Sequence, residues 1–248
     1  VGSPVLVLQP DDAAPVGRLA EWLVDAGADL TIRRIPDDPV PADLDGYSAL
    51  IVLGGAMSVA EDADHPWLSE IRTLLSAAVA KDLPVLAICL GAQLLAQATG
   101  GQVGPGAEGP ESGLRLVAKR DAAEDDQLFG PLPMTPDVVQ SHFDEISLLP
   151  PRAVLLAASP VYQHQAFRLG RAYGLLFHIE TTPDIFRRWI GEDVLRGARV
   201  PERQFDPEFI AEAHAELAEI WRPFAQRFVR LITAGPGLAG RQLPVVNP

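Results

Sequence analysis

Leu86-Ala-Ile-Cys-Leu-Gly-Ala-Gln-Leu-Leu95 decides how the whole chain is read. Residues 84–88, Pro-Val-Leu-Ala-Ile, form a short continuous apolar run bounded by a proline and predict a buried strand. Residues 90–98 predict a helix, so the change of structure falls on Cys89, with Gly91 two places later. A nucleophile on such a strand-to-helix elbow is lifted clear of the sheet, and the first amides of the following helix point at it. Those unpaired N–H groups and the helix dipole favour a thiolate and can donate to a developing oxyanion. The plainer reading makes Cys89 a small buried hydrophobe, as cysteine often is. Its position on the elbow speaks against that reading.

Working outward, residues 4–9 predict a strand and residues 16–26 an amphipathic helix. Strands follow over 30–35 and 49–53, the latter running into Gly54-Gly55, and then a helix over 66–80. Apolar strands alternating with helices indicate a mostly parallel sheet covered on both faces. From Gly100 the pattern shortens to strands over 114–118, 138–142, 154–158, 166–169 and 173–178, which predict a small antiparallel extension returning to the main sheet. Residues 183–195 and 207–233 are helical; in the second, Phe209, Ala213, Leu217, Ile220, Phe224 and Phe228 recur at helical spacing. One domain is expected over residues 1–234, followed by a Gly- and Pro-containing extended tail over 235–248. The long C-terminal helix can cover the sheet or form a homodimer contact.

The 248 residues, 48% of them hydrophobic, suffice for one substantial core. A net charge of -13 opposes a phosphate backbone, so no nucleic-acid partner is expected. The single cysteine forms no internal disulfide and no Cys-rich zinc site. That usage fits a cytoplasmic protein without a metal. No apolar run approaches a bilayer span, and the first residues, from Val1 on, lack the pattern expected of a secretory signal.

Thiolate attack on an amide needs a base that can also protonate the departing amine, and imidazole titrates in the right range. His65 precedes Pro66 at a helix start and reads as part of its cap; His164 flanks a strand and reads as structural; His214 is expected to be solvated on the C-terminal helix. His142, in Gln140-Ser-His-Phe-Asp144, ends a strand where a loop could line a pocket. His178 is the better base, because Glu180 follows two residues on and side chains at i and i+2 point the same way in extended structure. The pattern makes a Cys89, His178, Glu180 constellation available without placing its members together.

Taken in order, Leu53-Gly-Gly-Ala-Met-Ser-Val59, His65-Pro-Trp-Leu68, residues 85–93, Gln140 to Asp144, Gln165-Ala-Phe-Arg168 and Tyr173-Gly-Leu-Leu-Phe-His-Ile-Glu180 resemble the class I glutamine amidotransferases. Within them the chain is most similar to the stand-alone proteins related to the glutaminase domain of GMP synthase. The resemblance implies a flavodoxin-like three-layer sandwich, a Cys89, His178, Glu180 triad, and an oxyanion hole at the backbone amides of Gly55 and Leu90. It further implies that Gln93 lies against the substrate, with Gly54 beside it, and that Ser141, His142 and Phe143 help hold the glutamine α-amino and α-carboxylate groups. Gly54 and Gly55 are expected to serve a tight turn through positive φ and close backbone approach. Two positions depart from the family pattern: Ala87 stands where Gly is usual and adds a methyl at the elbow, and Ile179 stands where Pro is usual and removes a rigid φ. Glu111-Ser-Gly-Leu114 matches only loosely, in a region expected to border the pocket.

The resemblance implies ammonia release from the glutamine side chain through a cysteinyl thioester, with no cofactor. No second catalytic domain and no phosphate-cradling Gly-rich loop with Lys is visible in the sequence, so the chain acts alone or beside a separate ammonia-accepting synthetase. Two alternatives stay open: a stand-alone hydrolase of γ-glutamyl conjugates, and a non-catalytic scaffold of the same fold. Against the latter, Cys89, His178 and Glu180 are all present. A relative of the intracellular-protease type usually has His directly after the nucleophile, where this chain has Leu90.

Overall fold

The computed structural model describes residues 3–235; the tail expected beyond them lies outside the described residues. The order is β1 (Val5–Gln9), α1 (Gly17–Asp25), β2 (Leu30–Arg34), β3 (Ala49–Val52), α2 (Trp67–Ala80), β4 (Val85–Ile88) and α3 (Leu90–Ala98). Next come β5 (Gln102–Pro105), β6 (Glu111–Leu116), β7 (Ala118–Lys119), β8 (Asp137–His142), β9 (Asp144–Leu148), β10 (Val154–Ala158), β11 (Ala166–Leu169) and β12 (Ala172–Leu175). Helices α4 (Pro183–Leu195) and α5 (Pro207–Thr233) follow.

Strands β1, β3 and β4 are buried at every position because both of their faces are covered, whereas the edge strand β2 carries Thr31, Arg33 and Arg34 at half-buried or exposed positions. Val5 and Val7 of β1, Ala49 and Ile51 of β3, and Leu86 and Ile88 of β4 join one core with α1, α4 and α5. Their neighbours Leu6, Leu8, Leu50, Val52, Val85 and Ala87 join a second core with α2 and α3. The result is a three-layer α/β/α sandwich. Its eight-stranded sheet runs β2-β1-β3-β4-β12-β11-β10-β7. The first four pairings are parallel and the last three antiparallel. The parallel part has the flavodoxin-like order in which ligands bind beyond the carboxyl ends of the strands.

The antiparallel extension is larger than the sequence predicts. Strands β5 and β9 pair in a separate ribbon, as do β6 and β8, whose register sets Glu111 opposite His142 and Ser112 opposite Ser141. Gln102-Val-Gly-Pro105 contains residues of low strand propensity, and β9 alternates with polar, exposed positions, so neither reads as a strand by apolar content. The strand expected over 173–178 ends at Leu175, and His178 instead makes an isolated antiparallel bridge with Val139.

Helix α5 lies across the sheet against α1 and α4. Its buried stripe is rotated slightly from the expected one, with Ile210 and Trp221 inside while Phe209 and Ile220 are partly exposed. His214 is not solvated, as expected from the sequence, but 2% exposed. Its ring packs on Phe186, and its Nδ1 lies 2.8 Å from the Ile210 carbonyl oxygen. Burial pushes its pKa down to about 4, so it is neutral at ordinary pH. The rotation of the stripe turns this position inward. Among the described residues, no helix is long and apolar enough to cross a membrane.

Gly91, in the first turn of α3, fixes how closely that helix crosses β3: a Cβ there would stand 2.3 Å from the Val52 carbonyl oxygen. Gly91→Ala is expected to lower stability by about 2 kcal/mol, since backbone cannot yield as a flexible side chain does. Gly191, inside α4, has no atom within 4 Å of its would-be Cβ, and Gly191→Ala should gain ~0.5–1 kcal/mol from helix propensity. Urea unfolding of the two variants checks the opposite signs.

Candidate active site

Three neighbouring parallel strands end at the site. Gly54 follows β3, Cys89 follows β4 and His178 follows β12, and these strands pair in register, with Val52 opposite Ala87 and Leu175 opposite Ile88. The Cys89 N–H donates to the Leu175 carbonyl at 2.8 Å, tying the elbow to the strand that leads to His178. Cys89 has φ 50° and ψ −109°, a region that non-glycine residues rarely occupy. This strained turn is what aims Sγ out of the sheet. Sγ lies 3.8 Å from the Ser141 carbonyl oxygen.

Gly54 sits between the Cys89 and His178 side chains. A Cβ there would lie 3.0 Å from His178 Cε1 and 3.4 Å from Cys89 Cβ. The close approach expected of Gly54-Gly55 is present, but neither glycine has positive φ; within this part of the site the left-handed conformation belongs to Cys89. A Cβ on Gly55 would meet Met57 Sδ at 2.7 Å and Leu90 Cδ2 at 3.0 Å, so its backbone is pressed against the start of α3. Asp11 pins the same loop by accepting from the Ala56 N–H at 3.0 Å and the Ala13 N–H at 2.8 Å.

The His178 Nδ1–H donates to Glu180 Oε1 at 2.6 Å, which leaves Nε2 for Cys89. Glu180 is fully buried and its Oε2 accepts from the Ile179 N–H at 2.8 Å. A proline at position 179 has no such donor. The Glu180 carbonyl accepts from the Arg18 N–H at 3.0 Å, across Gly17, where a Cβ would stand 2.1 Å from that oxygen. Trp189 meets the His178 ring edge-on at 4.6 Å between centroids and is itself held by Nε1–H donating to Ala13 O at 2.9 Å. Burial alone would push the His178 pKa down, but the charges of Glu180 and Cys89, with their hydrogen bonds to the ring, raise it to about 10. At neutral pH the imidazole is therefore cationic.

These groups face a cavity of about 200 Å³. Of the positions expected from sequence, Gly55, Cys89, Gln93, Ser141, His142, Phe143 and His178 line it. Gly54 and Leu90 are not part of its lining. Gln93 is 4% exposed and its Nε2–H donates to the Asp144 carbonyl at 3.3 Å. The His142 side chain turns into the protein, with Nδ1 3.0 Å from the Asp144 carbonyl and Nε2 3.3 Å from Glu111 Oε2, so only its loop is presented to the cavity. Glu111 Oε2 accepts from Gln165 Nε2 at 2.7 Å, and Gln165 in turn accepts from Gln140. The loosely matching segment thus forms the buried support of the pocket wall.

The sequence reading missed the contribution of α4, which brings Trp189, Glu192, Asp193 and Arg196 to the cavity. Their i, i+3, i+4, i+7 spacing is a signal that was present: a polar stripe with one Trp on a helix whose Phe186 and Ile190 face the core.

Residues 16–195 match the family described as Glutamine amidotransferase class-I. The GMP synthase [glutamine-hydrolyzing] of Flavobacterium psychrophilum is 32% identical over 195 residues, which are 74% of this chain and 35% of that protein. The chain thus spans about a third of the length of such curated relatives. Gamma-glutamyl peptidase 3 of Arabidopsis thaliana is 26% identical over 217 residues, 82% of this chain and 84% of that one. The crystal structure of a glutamine amidotransferase from Thermotoga maritima superposes with a TM-score of 0.81 at 26% identity, covering 95% of this chain and 100% of that one. With the family match extending over most of its length, the chain belongs to the class-I glutamine amidotransferases.

Proposed function

We propose that the protein hydrolyses the side-chain amide of glutamine, or of a γ-glutamyl relative, through a thioester on Cys89. The observation that carries this reading is the meeting of Cys89, on a strained elbow, with the buried His178–Glu180 pair around the bare backbone of Gly54. The Cys89 thiolate attacks the γ-carbonyl carbon, and the amides of Gly55 and Leu90 receive the oxyanion. The His178 imidazolium gives its Nε2 proton to the departing amine as the C–N bond breaks. The neutral ring then takes a proton from water, whose oxygen attacks the thioester; collapse releases glutamate and restores thiolate and imidazolium. Glu180 holds the ring and balances its charge throughout. Ammonia released from glutamine would serve a synthetase, a reading supported by the similarity to GMP synthase.

A second reading, a stand-alone hydrolase of γ-glutamyl conjugates, is favoured by the similarity to gamma-glutamyl peptidase 3 over 82% of the chain. Incubation with glutamine and, in parallel, with γ-glutamyl amides of increasing size separates the two. Amine and glutamate release should vanish in Cys89→Ala; activity surviving that change rejects the thioester scheme. Release from glutamine points to an ammonia-consuming partner, whereas release only from larger amides selects the conjugate hydrolase.

Glu180→Gln should lower kcat by about 10²-fold or more, because the imidazolium loses its counter-charge. In nitrogen-labelled protein the His178 ring should titrate near 10, and Glu180→Gln should bring that midpoint down as burial prevails. The raised pKa contributes stability that is full below the ordinary value of 6.5 and is lost as pH climbs through about 10. Any stability advantage of the wild type over Glu180→Gln should therefore shrink on the alkaline side.

A further inference from the structure

We infer that Asp193, in the last turn of α4, and Arg196, which caps that helix, bind the two charged ends of the glutamyl group: Asp193 takes the α-ammonium and Arg196 the α-carboxylate. The inference rests on the reading that a γ-glutamyl amide occupies the cavity at Cys89.

Asp193 is 3% exposed, yet it lines the cavity. Its Oδ2 accepts from Ser112 Oγ at 2.6 Å and from Ser141 Oγ at 2.8 Å. Among the ion pairs of the described residues none includes it. Hydroxyls bring dipoles but no charge, and a carboxylate buried without a cation is unfavourable. A ligand ammonium supplies the missing charge at a place the protein keeps dry. One residue links the two places: Ser141, whose hydroxyl donates to Asp193, presents its carbonyl 3.8 Å from the Cys89 sulfur, and the α-carbon of a glutamyl group is three bonds from the carbon attacked there.

Arg196 supplies the opposite charge. Its guanidinium lies 3.8 Å above the centre of the Phe143 ring and faces the same cavity, and no carboxylate pairs with it among the described residues. Stacking fixes the plane of the guanidinium while leaving its N–H fork free for a carboxylate. Helix α4 therefore grips the loop at Ser141 and at Phe143, and both gripping groups retain a charge to offer. Glu192, exposed at the same rim, adds negative potential beside Asp193 but stays solvated. The clamp reads only what glutamine and every γ-glutamyl amide share. It leaves the amine side of the cavity, toward Trp189 and Asp11, to distinguish among them.

The test is calorimetric titration of Cys89→Ala protein, in which turnover is stopped. The probes are glutamine, glutaric monoamide (no α-amino group) and 4-aminobutanamide (no α-carboxylate), with the corresponding N-methylamides in parallel. Each truncated probe should bind about thirtyfold more weakly than its parent, the loss expected for a buried charge pair. Adding Asp193→Asn should collapse the first ratio toward one and leave the second; adding Arg196→Gln should do the reverse. Asparagine can keep hydrogen bonds to both serines, and Arg196 is exposed, so the second arm is readable even if the first variant folds poorly. Ratios unchanged in both variants overturn the clamp while the glutaminase reading stands, and collapse of one ratio alone overturns the other residue's assignment. If no glutamyl amide binds and the intact protein turns none over, both readings fall together.

Discussion

The parallel pairing of β3, β4 and β12 is the constraint on which the rest depends. Each strand ends in one part of the site, and a shift of register by one residue would reverse which face every following side chain meets. The pairing holds because both faces of these strands are buried, so no slipped register could satisfy both cores at once. Nothing needs to attract Cys89 to His178 directly. Their strands are neighbours, and the Cys89 N–H to Leu175 hydrogen bond sets the height of one elbow against the other.

Once that frame is fixed, the site concentrates unfavourable features that the frame must hold. Cys89 sits at positive φ, and Glu180 has no exposure at all. A buried carboxylate is tolerable because its partners are complete: the imidazolium at one oxygen, the Ile179 N–H at the other, and a backbone tied to Arg18 across Gly17. Strain at Cys89 and charge at the His178–Glu180 pair are thus both over-determined by hydrogen bonds to neighbouring backbone. That is how such groups persist in a chain of ordinary stability. The clamp we infer follows the same logic with one partner missing, the place a ligand ammonium would take.

Much of this was legible in the sequence, for identifiable reasons. Continuous apolar runs announced buried parallel strands, and the break at Cys89 announced the elbow, because both signals are local. His178 and Glu180 could be paired from their spacing alone. Their meeting with Cys89 could not, since it depends on β12 returning beside β4 after the whole antiparallel extension. Ribbon strands β5 and β9 were hidden by Gly, Pro and alternating polar residues, which carry little apolar signal. Gly54 was singled out correctly for close approach and wrongly for positive φ. A glycine in a sequence says that a Cβ is unwelcome, and only the fold says whether the obstacle is a dihedral or, as here, the edge of an imidazole. Helix α4 was seen as an element, but a polar stripe reads equally as a solvated face until a pocket is found against it.

The two departures from the family pattern illustrate how differently a conservative change can act. Ala87 points into the core with α2 and α3, on the opposite face from Leu86 and Ile88, and is fully buried without positive φ. Its methyl is therefore absorbed by packing one strand position before the turn tightens, rather than at the turn itself. Ile179 changes more. Proline would constrain the chain between base and carboxylate through φ, whereas isoleucine constrains it through the N–H that proline lacks, by donating to Glu180 Oε2. The aim of the carboxylate is kept by a hydrogen bond in place of a ring. That bond also leaves the other carboxylate oxygen to the His178 ring, so one short segment holds both ends of the pair.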